Sequence, residues 1–141
     1  MIGRLHHTVL DCADPTTSAR FYSELLGLPI TYDDGDWVVV SVDDRSSGLA
    51  FQRAPDHQPP SWPDGAVPQQ FHLDIMVNDV AKAGPAVLAL GARQLRYPDV
   101  FADPAGHPFC LIPKPNWAAP LPDDVARAGA DVPSQAGRVA P

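Results

Sequence analysis

His7-Thr-Val-Leu-Asp-Cys-Ala-Asp14 decides the fold, because its pattern returns as His72-Leu-Asp-Ile-Met-Val-Asn-Asp79. Each stretch runs from a histidine through alternating apolar residues to an aspartate. Each is followed by a segment of helical spacing that ends on Leu-Gly, at Leu26-Gly27 and at Leu90-Gly91. The far ends echo too, with Gly48-Leu-Ala-Phe-Gln52 set against Gly106-His-Pro-Phe-Cys110. A repeat of this length is a duplicated supersecondary unit. Equivalent residues of the two copies are then placed to converge on one shared site.

Working outward, residues 4–12 alternate, with Leu5, His7, Val9 and Asp11 on one face and His6, Thr8, Leu10 and Cys12 on the other, which is the period of a strand. Asp14-Pro15 supplies an N-cap and a proline at the first helical position. Ala19, Phe21, Tyr22, Leu25 and Leu26 follow at helical spacing, and Gly27 ends the run. Strands are predicted over 28–32, 37–42 and 49–53, separated by the aspartate-rich turns 33–36 and 43–47. The second copy predicts a strand over 71–77 and a helix capped by Asp79. Gly84-Pro85 falls inside that helix and predicts a kink or a late start, since an interior proline costs ~3 kcal/mol. Short strands are expected over 93–97, 100–102 and 109–112, with Asp103-Pro-Ala-Gly106 as the last turn. The fold class is therefore α+β, built from two tandem β-α-β-β-β modules.

A chain of 141 residues suits one compact domain or two small modules sharing a core, and 45% apolar with 19% charged residues is an ordinary soluble composition. The net charge of -7 argues against nucleic-acid partners and anionic membrane surfaces. No stretch is long and apolar enough to span a bilayer, and no secretory signal is visible, so a cytoplasmic location is expected. The two cysteines, Cys12 and Cys110, each fall in a predicted strand; a disulfide is formally open to them, but reduced thiols are expected. The 17 prolines cluster in 53–68 and again in 113–141. These clusters divide the chain into module one (1–53), a linker (54–69), module two (70–114) and a Pro/Ala-rich tail (115–141). The tail is expected to be poorly ordered beyond about Leu121, with Trp117 pinning its start to the domain.

The arrangement resembles the vicinal oxygen chelate superfamily, the glyoxalase/bleomycin-resistance/dioxygenase fold, in its glyoxalase-like branch. The segments that carry the resemblance are His7 with Asp14, Phe21-Tyr22-Ser-Glu-Leu-Leu-Gly27, His72-Leu-Asp-Ile-Met-Val-Asn-Asp79, Leu90-Gly91-Ala92 and Asp103-Pro-Ala-Gly-His-Pro-Phe109. The resemblance implies sheets that curl into a groove holding a divalent metal and a small ligand. It also implies ligands on the first and last strands of each module, of the pattern His or Gln, Glu, His, Glu. Carried over, these are His7, Gln52, His72 and Cys110, so both histidines stand and both carboxylates are replaced. A shell without carboxylates offsets a cation's charge poorly. Asp74, two residues from His72 on the same face, and Cys110 as a thiolate are the residues that would restore it. The missing glutamate is also the family's proton-shuttling base, leaving Asp74 as its substitute and making the full glyoxalase I reaction a poor expectation.

Blander roles stand beside these. A histidine on an inward strand face is often only a hydrogen-bonded polar group. His6 points away from His7 and is expected to be structural, Cys110 to be a small buried hydrophobe more than a ligand, and His107 a turn-exit residue. His57 and Trp62 are surface residues or a flap over the groove. Three functions follow. The first is a metal-dependent lyase, isomerase or dioxygenase acting on a small oxygenated metabolite with zinc, nickel, iron or manganese. The second is a metal-free binding module whose groove is lined by Trp37, Val39, Ala50, Met76 and Trp62, an acidic protein suiting a cationic ligand. The third, a structural or regulatory dimer, has nothing in the sequence to favour it. A homodimer is expected in any case, since the resemblance implies a groove completed across an interface.

Overall fold

Period-two segments become strands and capped segments become helices in the computed structural model, which describes residues 1–119 and residue 121. Module one contributes β1 (His7–Cys12), α1 (Pro15–Leu26), β2 (Ile30–Asp33), β3 (Trp37–Ser41) and β4 (Gly48–Arg53). Module two contributes β5 (Leu73–Val77), α2 (Val80–Ala89), β6 (Arg93–Gln94), β7 (Val100–Ala102) and β8 (Pro108–Pro113). Each module forms its own four-stranded mixed sheet, ordered β1-β4-β3-β2 and β5-β8-β7-β6. In both, the first strand lies parallel to the last and the remaining pairs are antiparallel. The two sheets do not close on one another. The architecture is the expected α+β duplication.

The caps behave as their chemistry requires. The Asp14 carboxylate accepts from the Thr17 N–H and hydroxyl, Pro15 sits where no helical donor is needed, and Gly27 closes α1 at φ +65°. Asp79 accepts from the Ala81 and Lys82 N–H groups at the start of α2. That helix begins there and runs unbroken through Pro85, without the late start anticipated. The proline removes one bond to the Ala81 carbonyl, and the doubly used cap holds the first turn in place of it. Every strand but β7 has a limit that differs from the sequence pattern, β2 for instance spanning Ile30–Asp33 where 28–32 is expected. Residues 4–6 and 71–72 lie outside β1 and β5, and β6 stops after Gln94 because the chain turns at Tyr97-Pro98-Asp99, where the Val100 N–H donates to the Tyr97 carbonyl.

Alternation sends Leu10 and Cys12 of β1, Val38 and Val40 of β3, Phe51 of β4, and Phe109 and Leu111 of β8 into one core. Phe21 and Tyr22 of α1, Val87 of α2 and Phe101 of β7 complete it. The core is shared by both modules, since Phe21 packs its ring against Phe109 at a centroid distance of 5.8 Å. A polar tie runs through it: the Tyr22 hydroxyl donates to Asp103 Oδ2 at 3.0 Å, and His107 Nδ1 lies 3.0 Å from the same oxygen. Asp103 Oδ1 accepts from the Ala105 and His107 N–H groups. His107, read from the sequence as a turn-exit residue, is thus also half of a buried pair.

The linker lies along module two. His57 packs its ring on His107 at 4.7 Å with Nε2 3.2 Å from the Ala105 carbonyl, and Trp62 meets Tyr97 edge-on. Trp117 does not pin the tail: it is 86% exposed. The chain there is held instead by the Lys114 N–H on the Val77 carbonyl and by the Lys114 ammonium on the Pro115 and Ala118 carbonyls. The expectation for the tail beyond Leu121 lies outside the described residues. Among those described, no helix is long and apolar enough to cross a membrane.

Candidate functional site

Filling the core with one set of residues turns the alternate set outward, and that second set carries the chemistry. On the module-two sheet it includes Asp74 and Met76 of β5 and Cys110 and Ile112 of β8, paired directly across the parallel ladder as Asp74 with Cys110 and Met76 with Ile112. His72 immediately precedes β5, and its Nε2 lies 3.4 Å from Asp74 Oδ1. The ligand atoms of His72, Asp74 and Cys110 all lie within 4.8 Å of one another. Among the described residues no other trio of His, Cys, Asp or Glu gathers this way. His72 and Asp74 are partly open to solvent and Cys110 is half-buried, so the group is reachable.

Electrostatics at Cys110 fit a cation site. Burial pushes its thiol above the ordinary range, and the neighbouring Asp74 and Asp99 carboxylates push it further. By itself the sulfur therefore holds its proton, whereas a divalent cation among the three donors would offset that repulsion and favour the thiolate. Imidazole, carboxylate and thiolate together form a donor set suited to zinc. Three protein ligands also leave coordination positions for a substrate. The group fits the metal that the fold implies, with Asp74 in the set.

His7 and Gln52 stand elsewhere. They face outward from the module-one sheet, where His7 pairs with Gly48 and Gln52 pairs with both Asp11 and Trp37. His7 does not join the His72 cluster. Burial pulls its imidazole below the usual histidine range, and the nearby His6 adds to this, so the ring is neutral near pH 7. His6, assigned to the opposite face by alternation, lies against His7 with ring centroids 3.8 Å apart and the rings tilted by 34°. The reason is that β1 begins only at His7, so the strand period does not reach back to residue 6.

These two histidines form one wall of a cleft of about 450 Å³ on the module-one sheet. Trp37, its ring 6.5 Å from His7, and Tyr32 add aromatic surface, while Val39 and Ser41 lie on its floor. Asp34, Asp43 and Asp44 rim it. Of the residues read from the sequence as groove-lining, Trp37 and Val39 line this cleft. Ala50 is fully buried beneath, between Val9 and Val39. Met76 faces outward beside Asp74 on the other sheet, and Trp62 sits against Tyr97. Sequence reasoning missed the rim aspartates. The signal available was their clustering in two turns that leave and enter the same strand, β3.

A family model described as a glyoxalase-like domain matches residues 7–112. No curated protein matches in sequence. Among solved structures, the chain is similar to a glyoxalase-related enzyme from Fulvimarina pelagi, with 20% identity, TM-score 0.59, and coverage of 83% of this chain and 92% of that one. It is similar to a glyoxalase/bleomycin resistance protein/dioxygenase family enzyme from Burkholderia phytofirmans PsJN, with 15% identity, TM-score 0.60, and coverage of 79% and 98%. It is also similar to the oxidase ChaP-H2, with 20% identity, TM-score 0.55, and coverage of 82% and 96%. At such identities the likeness is one of fold.

Proposed function

We propose that this chain, which belongs to the glyoxalase-like domain family of the vicinal oxygen chelate superfamily, holds a divalent cation with His72, Asp74 and Cys110 and presents it to a small oxygen-bearing metabolite. The observation that carries this reading is the convergence of three different donor types within 4.8 Å on an accessible sheet face. A bound cation would supply Lewis acidity, polarising a substrate carbonyl or hydroxyl oxygen. The chain's own contribution is the orientation of the donors. Register across the β5–β8 pair sets Asp74 opposite Cys110, and His72, one residue before β5, brings its Nε2 to 3.4 Å from Asp74 Oδ1.

The donor set favours a lyase or isomerase over a dioxygenase. Non-haem iron oxygenases use two histidines and a carboxylate, whereas a thiol in place of the second histidine suits zinc. Asp74 then acts as the anionic ligand and not as the proton-transferring base. The test is metal content of tag-free full-length protein exposed to Zn, Mn, Fe(II) and Ni, beside His72→Ala, Asp74→Ala, Cys110→Ala and His7→Ala. Near-stoichiometric zinc, lost in the first three variants and kept in the fourth, is expected. Metal absent in all cases, or indifferent to His72 and Cys110, would overturn the reading.

A second reading, small-molecule binding without metal, is favoured by a separate observation. The cleft lined by Trp37 and Val39 shares no residue with the His72 cluster and offers aromatic walls large enough for a small ligand.

A further inference from the structure

The cleft on the module-one sheet has a charge character that the fold does not require. Four rings contribute to its lining: His6 and His7 side by side, Trp37 beyond them, and Tyr32. Three carboxylates stand at its rim and no lysine or arginine lines it. Two of the carboxylates hold their own turns. Asp34 accepts from the Trp37 and Asp36 N–H groups and from the Tyr32 hydroxyl, and Asp43 accepts from the Arg45 and Ser46 N–H groups. Those bonds favour the ionised forms, and both groups are held below the usual carboxylate range. Asp44 has only a loose partner, the Arg45 guanidinium at 3.8 Å, and both side chains are over 80% exposed. His7 does not cancel this field, since burial keeps its ring neutral near pH 7.

We infer that this cleft binds a small organic cation, an amine or ammonium group carried on a flat apolar body. The body lies against the Trp37 and histidine rings, and the cationic head reaches the Asp34–Asp43–Asp44 rim. Rings and carboxylates serve the same ligand in different ways: the ring faces attract cations through their quadrupoles, and the carboxylates attract them by charge. A net charge of -7 on the whole chain adds long-range attraction of the same sign. The inference rests on the cleft being a ligand site, as in the second reading above, and is independent of the metal cluster.

Three indole probes of nearly one shape separate the two ideas: tryptamine (cation), tryptophol (neutral) and indole-3-acetate (anion). Each is titrated into the full chain and followed by the Trp37 indole N–H and the His7 and Tyr32 amides in proton–nitrogen correlation spectra. Tryptamine is expected to bind roughly fivefold or more tighter than tryptophol at low salt, with the margin shrinking at about 0.5 M salt as screening shortens. Indole-3-acetate is expected to bind weakest. Asp44→Asn, on an exposed turn, should weaken tryptamine by roughly two- to fivefold and leave tryptophol unchanged. Trp37→Leu should weaken both. Equal binding of tryptamine and tryptophol at these resonances would overturn the cation assignment while sparing the cleft as a ligand site. No shift at them with any probe, or binding indifferent to Trp37→Leu, would overturn both.

Discussion

Replacing Asp103 tests whether the two modules are joined by a buried carboxylate as well as by apolar packing. Its side chain is fully buried and accepts from four donors: the Tyr22 hydroxyl from module one, His107 Nδ1, and the Ala105 and His107 N–H groups. Asp103→Ala strands a hydroxyl in a residue with no solvent exposure and leaves a histidine ring without its partner. Losing hydrogen bonds to a charged acceptor while stranding a buried hydroxyl costs about 3–5 kcal/mol in sum. For a domain of this size, at about 4 °C per kcal/mol, Asp103→Ala should lower Tm by about 12–20 °C. Tyr22→Phe removes one donor and leaves three, which should cost about 1–2 kcal/mol. In the double variant no hydroxyl is stranded, so the two losses should fall short of additivity by about 1 kcal/mol. Burial and the Asp103 charge hold the Tyr22 phenol well above its usual range. The sign follows: the unfolded phenol ionises first, so this contribution is whole below about pH 10 and declines above it, and Tyr22→Phe should flatten that alkaline decline. Thermal melts and urea titrations of the four proteins, followed by circular dichroism, measure all of this. An Asp103→Ala protein melting within about 3 °C of the parent, or strict additivity in the cycle, would refute the reasoning.

Asp14→Ala should cost about 1 kcal/mol, or about 4 °C in Tm, by removing the α1 cap. Because Thr17 hydrogen bonds hold the Asp14 carboxyl below its usual range, its contribution is present above about pH 4 and fades as pH falls further, so parent and variant melts should converge in acid. Gly84→Ala should change stability by less than about 0.5 kcal/mol, since the gain of an alanine inside α2 is opposed by crowding of its Cβ against the Pro85 ring, while beyond its chain neighbours the Cβ meets Phe101 Cζ at 3.7 Å, an ordinary contact. A markedly lower Tm in that variant would show that Pro85 strains the turn. Without metal, Cys110 should alkylate slowly at pH 8, and Asp74→Asn should speed it by removing one source of its raised pKa. Mass spectrometry can assign the adduct, with Cys12, fully buried, as the unreactive control.

Local signals in the chain were strong where the chemistry was local. Asp14-Pro15 and Gly27 mark both ends of α1, and alternation marks every strand of module one to within two or three residues. The Asp103 tie was illegible because its partner Tyr22 lies 81 positions away and meets it only when α1 docks against the turn before β8. A trace was present all the same, in the four-residue spacing of Asp103 and His107 across a Pro-Ala-Gly turn. The cluster on the module-two sheet was half legible. The two-residue spacing of His72 and Asp74 suggested their proximity, which the structure gives as 3.4 Å with His72 just outside β5, but Cys110 joins them only through the register of a parallel pair, which no short-range pattern encodes.

That register also explains why the two histidines, so alike in sequence, have different surroundings. Sequence similarity sets Gln52 against Cys110, but the ladders set Gln52 opposite Asp11 and Cys110 opposite Asp74. Counted two residues on from each histidine, Asp74 faces Cys110 in module two and Val9 faces Ala50 in module one. His7 therefore has apolar neighbours where His72 has donors, and the two copies share a backbone while, among the described residues, only the second gathers a histidine, a carboxylate and a thiol. On the proposed reading of His72, Asp74 and Cys110 as a zinc site, Val9→Asp with Ala50→Cys should rebuild the set around His7 and add a second zinc per chain. Ala50 is fully buried, so the added sulfur should cost about 1 kcal/mol or more of stability, checked by thermal melt. A variant that folds but still binds a single zinc, removed by His72→Ala, would show that the ladder register does not create the site and that some contact beyond the three donors does.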